Sequence, residues 1–128
     1  MKSIIAIAFL VSTIIMSSSQ SASAQSRPLR HVVSFKFTAD ATREQVDELI
    51  KDFSDLKNKI PQIQAFEWGV NNSPEGFNKG LTHCFILTFA SEQDRDIYLP
   101  HPAHKAFGTK HGPIIADGFV VDFYAKEE

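Results

Sequence analysis

Four strand-like segments alternating with two helical ones predict an α+β fold for this chain. The chain has 128 residues and a formal net charge of −2, and 43% of its residues are hydrophobic, as expected for one globular domain. Apolar residues recur at every second position in the strand-like segments and at three- or four-residue steps in the helical ones. The order β-α-β-β-α-β is that of the ferredoxin-like plan, a four-stranded antiparallel sheet with both helices on one face.

The first 24 residues have the pattern of a secretory signal peptide. Lys2 precedes an apolar run over residues 4–16, and Ala22-Ser23-Ala24 supplies the small residues of a cleavage site. A membrane span needs about twenty apolar residues, so we expect cleavage after Ala24 and no stable membrane anchor. The chain is therefore expected to be exported, as a periplasmic or secreted protein. After the signal peptide we expect a linker over residues 25–28, one domain over 29–125 and an acidic tail over 126–128.

The domain is predicted to begin with a strand and a long helix. Alternation over residues 30–38 indicates a strand, one face of which carries His31, Val33, Phe35 and Phe37. Thr42 and Gln45 have capping-box spacing, and apolar residues then recur at helical steps as far as Ile60. These features predict a helix of about seventeen residues that ends before Pro61.

The second half is predicted to contain three strands and an interrupted helix. The strands are expected over residues 63–70, 81–90 and 118–125. Ser91 is suited to cap a helix that continues to about Tyr98, after which prolines interrupt it before a further helical stretch over 103–110. We expect the first and third strands to run parallel at the sheet centre. His31 and His83, which begin these two strands, would then lie close together beneath the helices.

The sheet face turned away from the helices is predicted to form a homodimer interface. It carries Val32, Ser34, Lys36, Cys84, Ile86, Thr88, Phe119, Val121 and Phe123. This set is too apolar to remain exposed, and a second copy packed sheet on sheet would cover it. Cys84 is expected to be a small buried residue, and as the one cysteine it excludes an intramolecular disulfide. The charge balance gives no indication of a nucleic-acid partner.

Tyr98, His101 and His104 follow one another at three-residue steps, so that they share roughly one helix face. Of these, Tyr98 and His104, together with His31 and His83, predict a pocket for a small apolar, aromatic or carbonyl ligand. Its apolar walls are expected to be Phe35, Phe53, Phe85 and Phe107. Two alternatives stay open: the histidines are structural, or they bind a metal. No carboxylate or thiolate accompanies them, so we expect neither a metal nor a cofactor. His111 is expected to be solvated surface.

Several motifs resemble the stress-responsive dimeric α/β barrel (Dabb) family. They are Arg30-His31-Val32-Val33-Ser34-Phe35-Lys36-Phe37, Glu67-Trp68-Gly69, Gly80-Leu81-Thr82-His83, Tyr98-Leu99-Pro100-His101-Pro102-Ala103-His104 and Phe107-Gly108. The resemblance extends over residues 29–125. It implies two ferredoxin-like units paired through their sheets into a dimeric barrel.

The resemblance also implies roles for the site residues. In a plant polyketide cyclase of this family, the catalytic tyrosine and histidine match Tyr98 and His104, and two further pocket histidines match His31 and His83. This implies that His104 acts as a general base and that the Tyr98 hydroxyl donates to a developing oxyanion, without a metal.

Two positions differ from that cyclase: Phe53 stands where the cyclase has a tyrosine, and Gly118 stands where it has an aliphatic residue. The resemblance therefore does not identify the substrate. A stable non-enzymatic stress-response or binding protein remains the main alternative. A monooxygenase of the same fold is an alternative that rests on analogy of fold alone.

Overall fold

The computed structural model describes residues 27–128. The predicted signal peptide therefore lies outside the described residues. The elements are β1 (Leu29–Phe37), α1 (Arg43–Lys59), β2 (Ala65–Val70), β3 (His83–Phe89), α2 (Glu92–Tyr98), α3 (Pro102–His111), a 3-10 turn (Gly112–Ile114) and β4 (Ile115–Tyr124). The predicted order is confirmed, and the interrupted second helix is the pair α2 and α3.

The four strands form one antiparallel sheet in the order β2-β3-β1-β4, which confirms the ferredoxin-like fold. The expectation that β1 and β3 run parallel is wrong. The chain reverses direction between β2 and β3, and the helical crossover makes β1 and β2 parallel, so β3 opposes both of its neighbours. His31 pairs with Leu87, whereas His83 pairs with Phe35. The two histidines are thus separated by four residues along β1, about 13 Å.

Helix α1 begins as its capping signal predicts. The Thr42 hydroxyl accepts a hydrogen bond from the Gln45 N–H at 3.2 Å, and the Gln45 side chain accepts one from the Thr42 N–H at 2.9 Å. The inward face of α1 packs against the sheet and forms the hydrophobic core together with residues of β1, β3, α2 and α3. The largest fully buried side chains of this core are Leu29, Leu49, Phe53, Leu56, Ile60, Phe85, Leu87, Phe89 and Tyr98.

No helix within residues 27–128 covers the opposite face of the sheet. Ser34 lies between Cys84 and Phe119 in the strand register, as the alternation predicted. Phe119, Val121 and Phe123 are 47%, 42% and 47% exposed. Cys84, expected to be buried, is only partly buried because it belongs to this uncovered face.

The helix-facing side of β4 is also partly open. Gly118 and Val120 point to that side, opposite Phe35 and Val33 of β1, yet both are exposed. The helices pack mainly over β2, β3 and each other. None of the helices within residues 27–128 is long and apolar enough to cross a membrane.

Candidate active site around Tyr98

Tyr98 is the last residue of α2, and its side chain is fully buried. Its ring centroid lies 5.7 Å from that of His31, 5.2 Å from that of Phe89 and 4.2 Å from that of His104. Its hydroxyl has no hydrogen-bond partner among the described residues. Burial, reinforced by the charge of Asp122, raises the pKa of Tyr98, so the phenol stays protonated and can donate.

His104 lies in the first turn of α3, beside Tyr98. Its Nδ1–H donates to the Leu99 carbonyl at 2.9 Å, because a carbonyl oxygen can only accept. The neutral ring therefore presents Nε2 with a free lone pair. Burial lowers the pKa of His104, against the opposing effect of the Leu99 bond, and charge on His31 or His101 lowers it further. Near neutral pH, His104 is thus a neutral ring that can take up a proton.

His31 is linked to the last strand by a partly buried hydrogen bond. Its Nδ1–H donates to Asp122 Oδ1 at 2.6 Å, and the Arg95 guanidinium donates to the other carboxylate oxygen at 2.8 Å. His31 is only 4% exposed. Asp122 therefore fixes both the tautomer and the orientation of the imidazole beside Tyr98.

The sequence analysis missed Asp122 and Arg95. The sequence contained only a weak indication of Asp122, because it is the one charged residue at the β4 positions that face the helices. Its partner His31 is 91 residues away in the chain. The pairing depends on the β1–β4 register, which alternation within single strands does not reveal.

The four predicted wall phenylalanines contact one another. The ring centroid of Phe53 lies 4.8 Å from that of Phe85 and 4.6 Å from that of Phe107, and Phe35 lies 5.6 Å from Phe85. They form a packed aromatic cluster between α1, α3 and the sheet. The Tyr98 ring pairs with His31, Phe89 and His104. The phenylalanines thus belong mainly to the core beside the Tyr98 group.

His83 stands apart from that group, contrary to expectation. Its ring lies 5.1 Å from Phe37 and is nearly parallel to Trp68 at 6.3 Å. Its Nδ1 is within hydrogen-bond distance of the Thr82 hydroxyl, at 2.9 Å. Burial lowers the pKa of His83. The separation from His31 follows from the antiparallel arrangement of β1 and β3.

The other two histidines have structural partners. The His101 Nδ1 accepts a hydrogen bond from the Ala103 N–H at 3.1 Å and so caps α3. The expectation that His111 is solvated surface is wrong: it is 3% exposed, and its Nε2–H donates to Asp52 of α1 at 2.9 Å. Helix α3 extends as far as His111, and the four-residue step from Phe107 turns it inward.

The histidines of the described residues do not assemble into the metal cluster that the sequence left open as an alternative. Within residues 27–128, no three His, Cys, Asp or Glu side chains are grouped so that they could hold a metal ion. His83 is remote from His31, and the ring of His101 is engaged in capping.

The Tyr98 group does contain the two components needed to remove a proton next to a carbonyl. A neutral imidazole with a free nitrogen can accept the proton, and a buried phenol can donate to the oxygen on which negative charge develops. Both side chains are held by short segments of regular structure, Tyr98 at the end of α2 and His104 at the start of α3.

Two named relatives are similar to this chain. The stress-response A/B barrel domain-containing protein HS1 of Arabidopsis thaliana is 39% identical over 82 residues, which are 64% of this chain and 75% of the relative. Olivetolic acid cyclase of Cannabis sativa is 32% identical over 80 residues, which are 62% of this chain and 79% of the cyclase.

Solved structures share the fold. Hydroxynitrile lyase from Passiflora edulis has a TM-score of 0.75 and 25% identity, with 80% of this chain and 97% of the lyase covered. A dimeric ferredoxin-like protein of unknown function from Thermobifida fusca has a TM-score of 0.67 and 25% identity, with coverage of 79% and 93%. Residues 29–125 match the Stress responsive A/B Barrel Domain (Dabb). The chain therefore belongs to the stress-responsive A/B barrel domain family.

Proposed function

We propose that this protein is an exported homodimer that binds a small apolar carbonyl compound at the Tyr98 group and catalyses proton transfer there without a cofactor. The observation that carries the proposal is the contact between the ring of His104 and the Tyr98 ring, whose buried hydroxyl has no partner among residues 27–128. Two similar proteins, a cyclase and a hydroxynitrile lyase, are named as enzymes, which also favours a catalytic role.

The proposed step is abstraction of a proton from a carbon next to a carbonyl. The Nε2 lone pair of His104 takes the proton, and the C–H bonding electrons move toward the carbonyl, which becomes an enolate. The Tyr98 hydroxyl donates to the enolate oxygen and so gains a hydrogen-bond partner, which no residue of the described part of the chain supplies. The protonated His104 can return its proton to carbon or to a leaving group, so the step balances without a metal or a redox partner.

The assembly is proposed to be a dimer formed through the open sheet face. The exposed Phe119, Val121 and Phe123 give that face a continuous apolar stripe along β4, of the kind that monomeric proteins rarely leave in water. The structurally similar Thermobifida fusca protein is described as dimeric. A two-fold pairing of the faces would remove these side chains from solvent.

Export is proposed on the sequence of residues 1–24 alone. The positive Lys2, the apolar run and Ala22-Ser23-Ala24 support cleavage after Ala24. Expression of the full chain, followed by fractionation and amino-terminal sequencing, tests this part. The expected mature protein begins at Gln25 outside the cytoplasm, whereas a cytoplasmic protein that keeps Met1 would contradict export.

A non-enzymatic binding or stress-response role is the second candidate. The complete burial of Tyr98 favours it, because a substrate must gain access to a hydroxyl that solvent does not reach in this structure. In that case the histidines and Tyr98 serve packing only, and removing the hydroxyl would leave every ligand-dependent property unchanged.

Deuterium exchange separates the two candidates. The probe is ethyl 2-methylacetoacetate in D2O, and proton NMR follows loss of its C2 proton. Tyr98→Phe removes only the buried hydroxyl, and Tyr124→Phe is the matched control because the Tyr124 hydroxyl bonds to the Glu92 N–H outside the site. We expect exchange faster than in buffer for the wild type and Tyr124→Phe, and a rate reduced at least about tenfold for Tyr98→Phe. Equal rates in all three proteins would support the non-enzymatic candidate.

A further inference from the structure

A groove of about 450 Å³ lies between the β2–β3 connection and the open sheet face. Its apolar walls include Val70, Phe77, Leu81 and Phe119, and His83 is a further lining residue. Neither Tyr98 nor His104 is among the lining residues, so the groove is separate from the candidate active site. Its volume is within the range of small-molecule sites in proteins.

One end of the groove is formed by a turn that holds a lysine in an unfavourable backbone conformation. The Leu81 N–H donates to the Asn78 carbonyl at 2.8 Å, which closes a turn with Lys79 and Gly80 at its centre. Their φ angles are +52° and +78°, as in a type I′ turn. Asparagine and glycine are favoured at the first central position, so a lysine there is not explained by the turn itself.

A second ammonium group lies at the same turn. A Cβ on Gly80 would come within 3.1 Å of Cδ and 3.4 Å of Nζ of Lys36, so the absence of a side chain at Gly80 lets the lysine lie against the backbone. Neither Lys36 nor Lys79 forms an ion pair in the part of the chain that the structure describes. Lys79, which lines this end of the groove, makes it cationic, whereas Lys36 stands opposite Asp117 in the β1–β4 register.

No acidic residue lines the groove to balance this charge. The other titratable groups of the lining are His83, whose burial lowers its pKa and favours the neutral ring, and the thiol of Cys84. The exposed ring of Phe77, at 75% exposure, stands on the same connection as Lys79. Cationic at one end and apolar along its walls, the groove complements a molecule with one negative group and an apolar body.

We propose that this groove binds a small carboxylate with an apolar body, with its carboxylate at Lys79 and its body against Phe77 and Leu81 of the β2–β3 connection. Phe119 belongs also to the sheet face of the proposed dimer, as do Ser34 and Cys84. The site thus lies at the edge of that interface, and the carboxylate end faces the connection outside it. It needs no reaction at Tyr98 and stands independently of the proposed activity.

Calorimetric titration of the intact protein tests the proposal with 2-naphthoate and its uncharged analogue 2-naphthamide. Lys79→Asn is the key variant, because asparagine suits the left-handed conformation and leaves the turn intact. We expect 2-naphthoate to bind Lys79→Asn about tenfold more weakly than wild type, as for loss of one charged hydrogen bond. Binding of 2-naphthamide should be the same for both proteins, and Phe77→Ala should weaken both compounds.

Three results would overturn the proposal. Equal affinity of wild type for the acid and the amide would remove the charge argument. No binding of either compound would mean that the groove is filled, for example by the second copy in the dimer. Weaker binding of 2-naphthoate to Tyr98→Phe but not to Lys79→Asn would place the ligand at the other site. Loss of exchange activity alone would leave this proposal standing, because Lys79 and Phe77 lie outside the Tyr98 group.

Discussion

The role of each histidine in this domain depends on the group that its ring nitrogen contacts. The Nδ1–H of His104 donates to the Leu99 carbonyl, so the Nε2 of this ring is free to act as a base. The Nδ1 of His101 instead accepts a hydrogen bond from a backbone N–H and so caps α3. The Nε2–H of His111 donates to Asp52 and so links α3 to α1. The sequence marked His104 as a candidate catalytic residue, whereas His111 was expected to be solvated surface. Their different roles follow from contacts that only the folded chain provides.

Asp122 is expected to be the most sensitive of the polar residues around Tyr98. Asp122→Asn removes the charge that holds both the His31 ring and the Arg95 guanidinium. We expect a loss of about 2 kcal/mol in the free energy of unfolding, since hydrogen bonds with charged partners contribute about 1.5–3 kcal/mol. Urea unfolding at pH 7 measures it. Asp96→Asn is the control, because Asp96 also pairs with Arg95 but is 63% exposed; an equal loss in both variants would contradict a special role for Asp122.

At the level of secondary structure, the break between α2 and α3 brings the two proposed catalytic residues together. Tyr98 ends one helix, and Pro102 occupies the first position of the next, where proline is well tolerated. The change of direction over Leu99 to His101 lets His104 fold back onto Tyr98 and bond to Leu99. The prolines predicted an interruption of the second helix from the sequence. This interruption places Tyr98 and His104 next to each other.

His101 is expected to act through this break as a capping residue. His101→Ala removes the acceptor of the Ala103 N–H bond and should lower the free energy of unfolding by about 1 kcal/mol. Asparagine caps helices well, so His101→Asn should restore both the stability and the rate of deuterium exchange. Thermal unfolding and the exchange assay are the measurements. An asparagine variant that is stable but inactive would show instead that His101 takes part in the chemistry.

The elements were predictable from the sequence because their signals are local, whereas the pairing of strands was not. The capping box at Thr42 and the apolar repeat located α1, and alternation assigned His31 and Phe119 to opposite faces. The direction of β3 relative to β1 depends on the complete path of the chain. That single error displaced His83 from the predicted pocket, whereas the Asp122 partner of His31 depends on the separate register of β1 and β4.

At the scale of the whole molecule, the sheet separates two surfaces with different properties. One face packs against the helices and holds the Tyr98 group, and the other exposes the apolar residues of β4. In the proposed dimer, the second faces of the two sheets form an additional hydrophobic core. Assembly thus buries apolar surface that each small unit cannot bury alone. The Tyr98 groups would then lie on the outer sides of the two sheets.

Two substitutions on one strand test the proposed assembly. Phe119→Glu places a charge on the open face, whereas Val120→Glu places it on the helix-facing side, where Val120 is 59% exposed. We expect Phe119→Glu to give a monomer, because a buried unpaired carboxylate is costly, and Val120→Glu to remain dimeric. Light scattering after size-exclusion chromatography measures the mass. A wild-type monomer, or a dimer that only Val120→Glu disrupts, would contradict the open face as the interface.

The central claim, that His104 is a base beside the Tyr98 hydroxyl, is tested most directly by the pH dependence of deuterium exchange in ethyl 2-methylacetoacetate. Burial lowers the pKa of His104 below its usual 6.5, so the neutral ring persists as the pH falls through 6.5 and is protonated only at more acidic pH. We predict that the catalysed rate of the wild type stays level through pH 6.5 and falls below it, and that His104→Gln exchanges no faster than buffer. A catalysed rate that is the same in both proteins, or one already halved at pH 6.5 or above, would contradict the account.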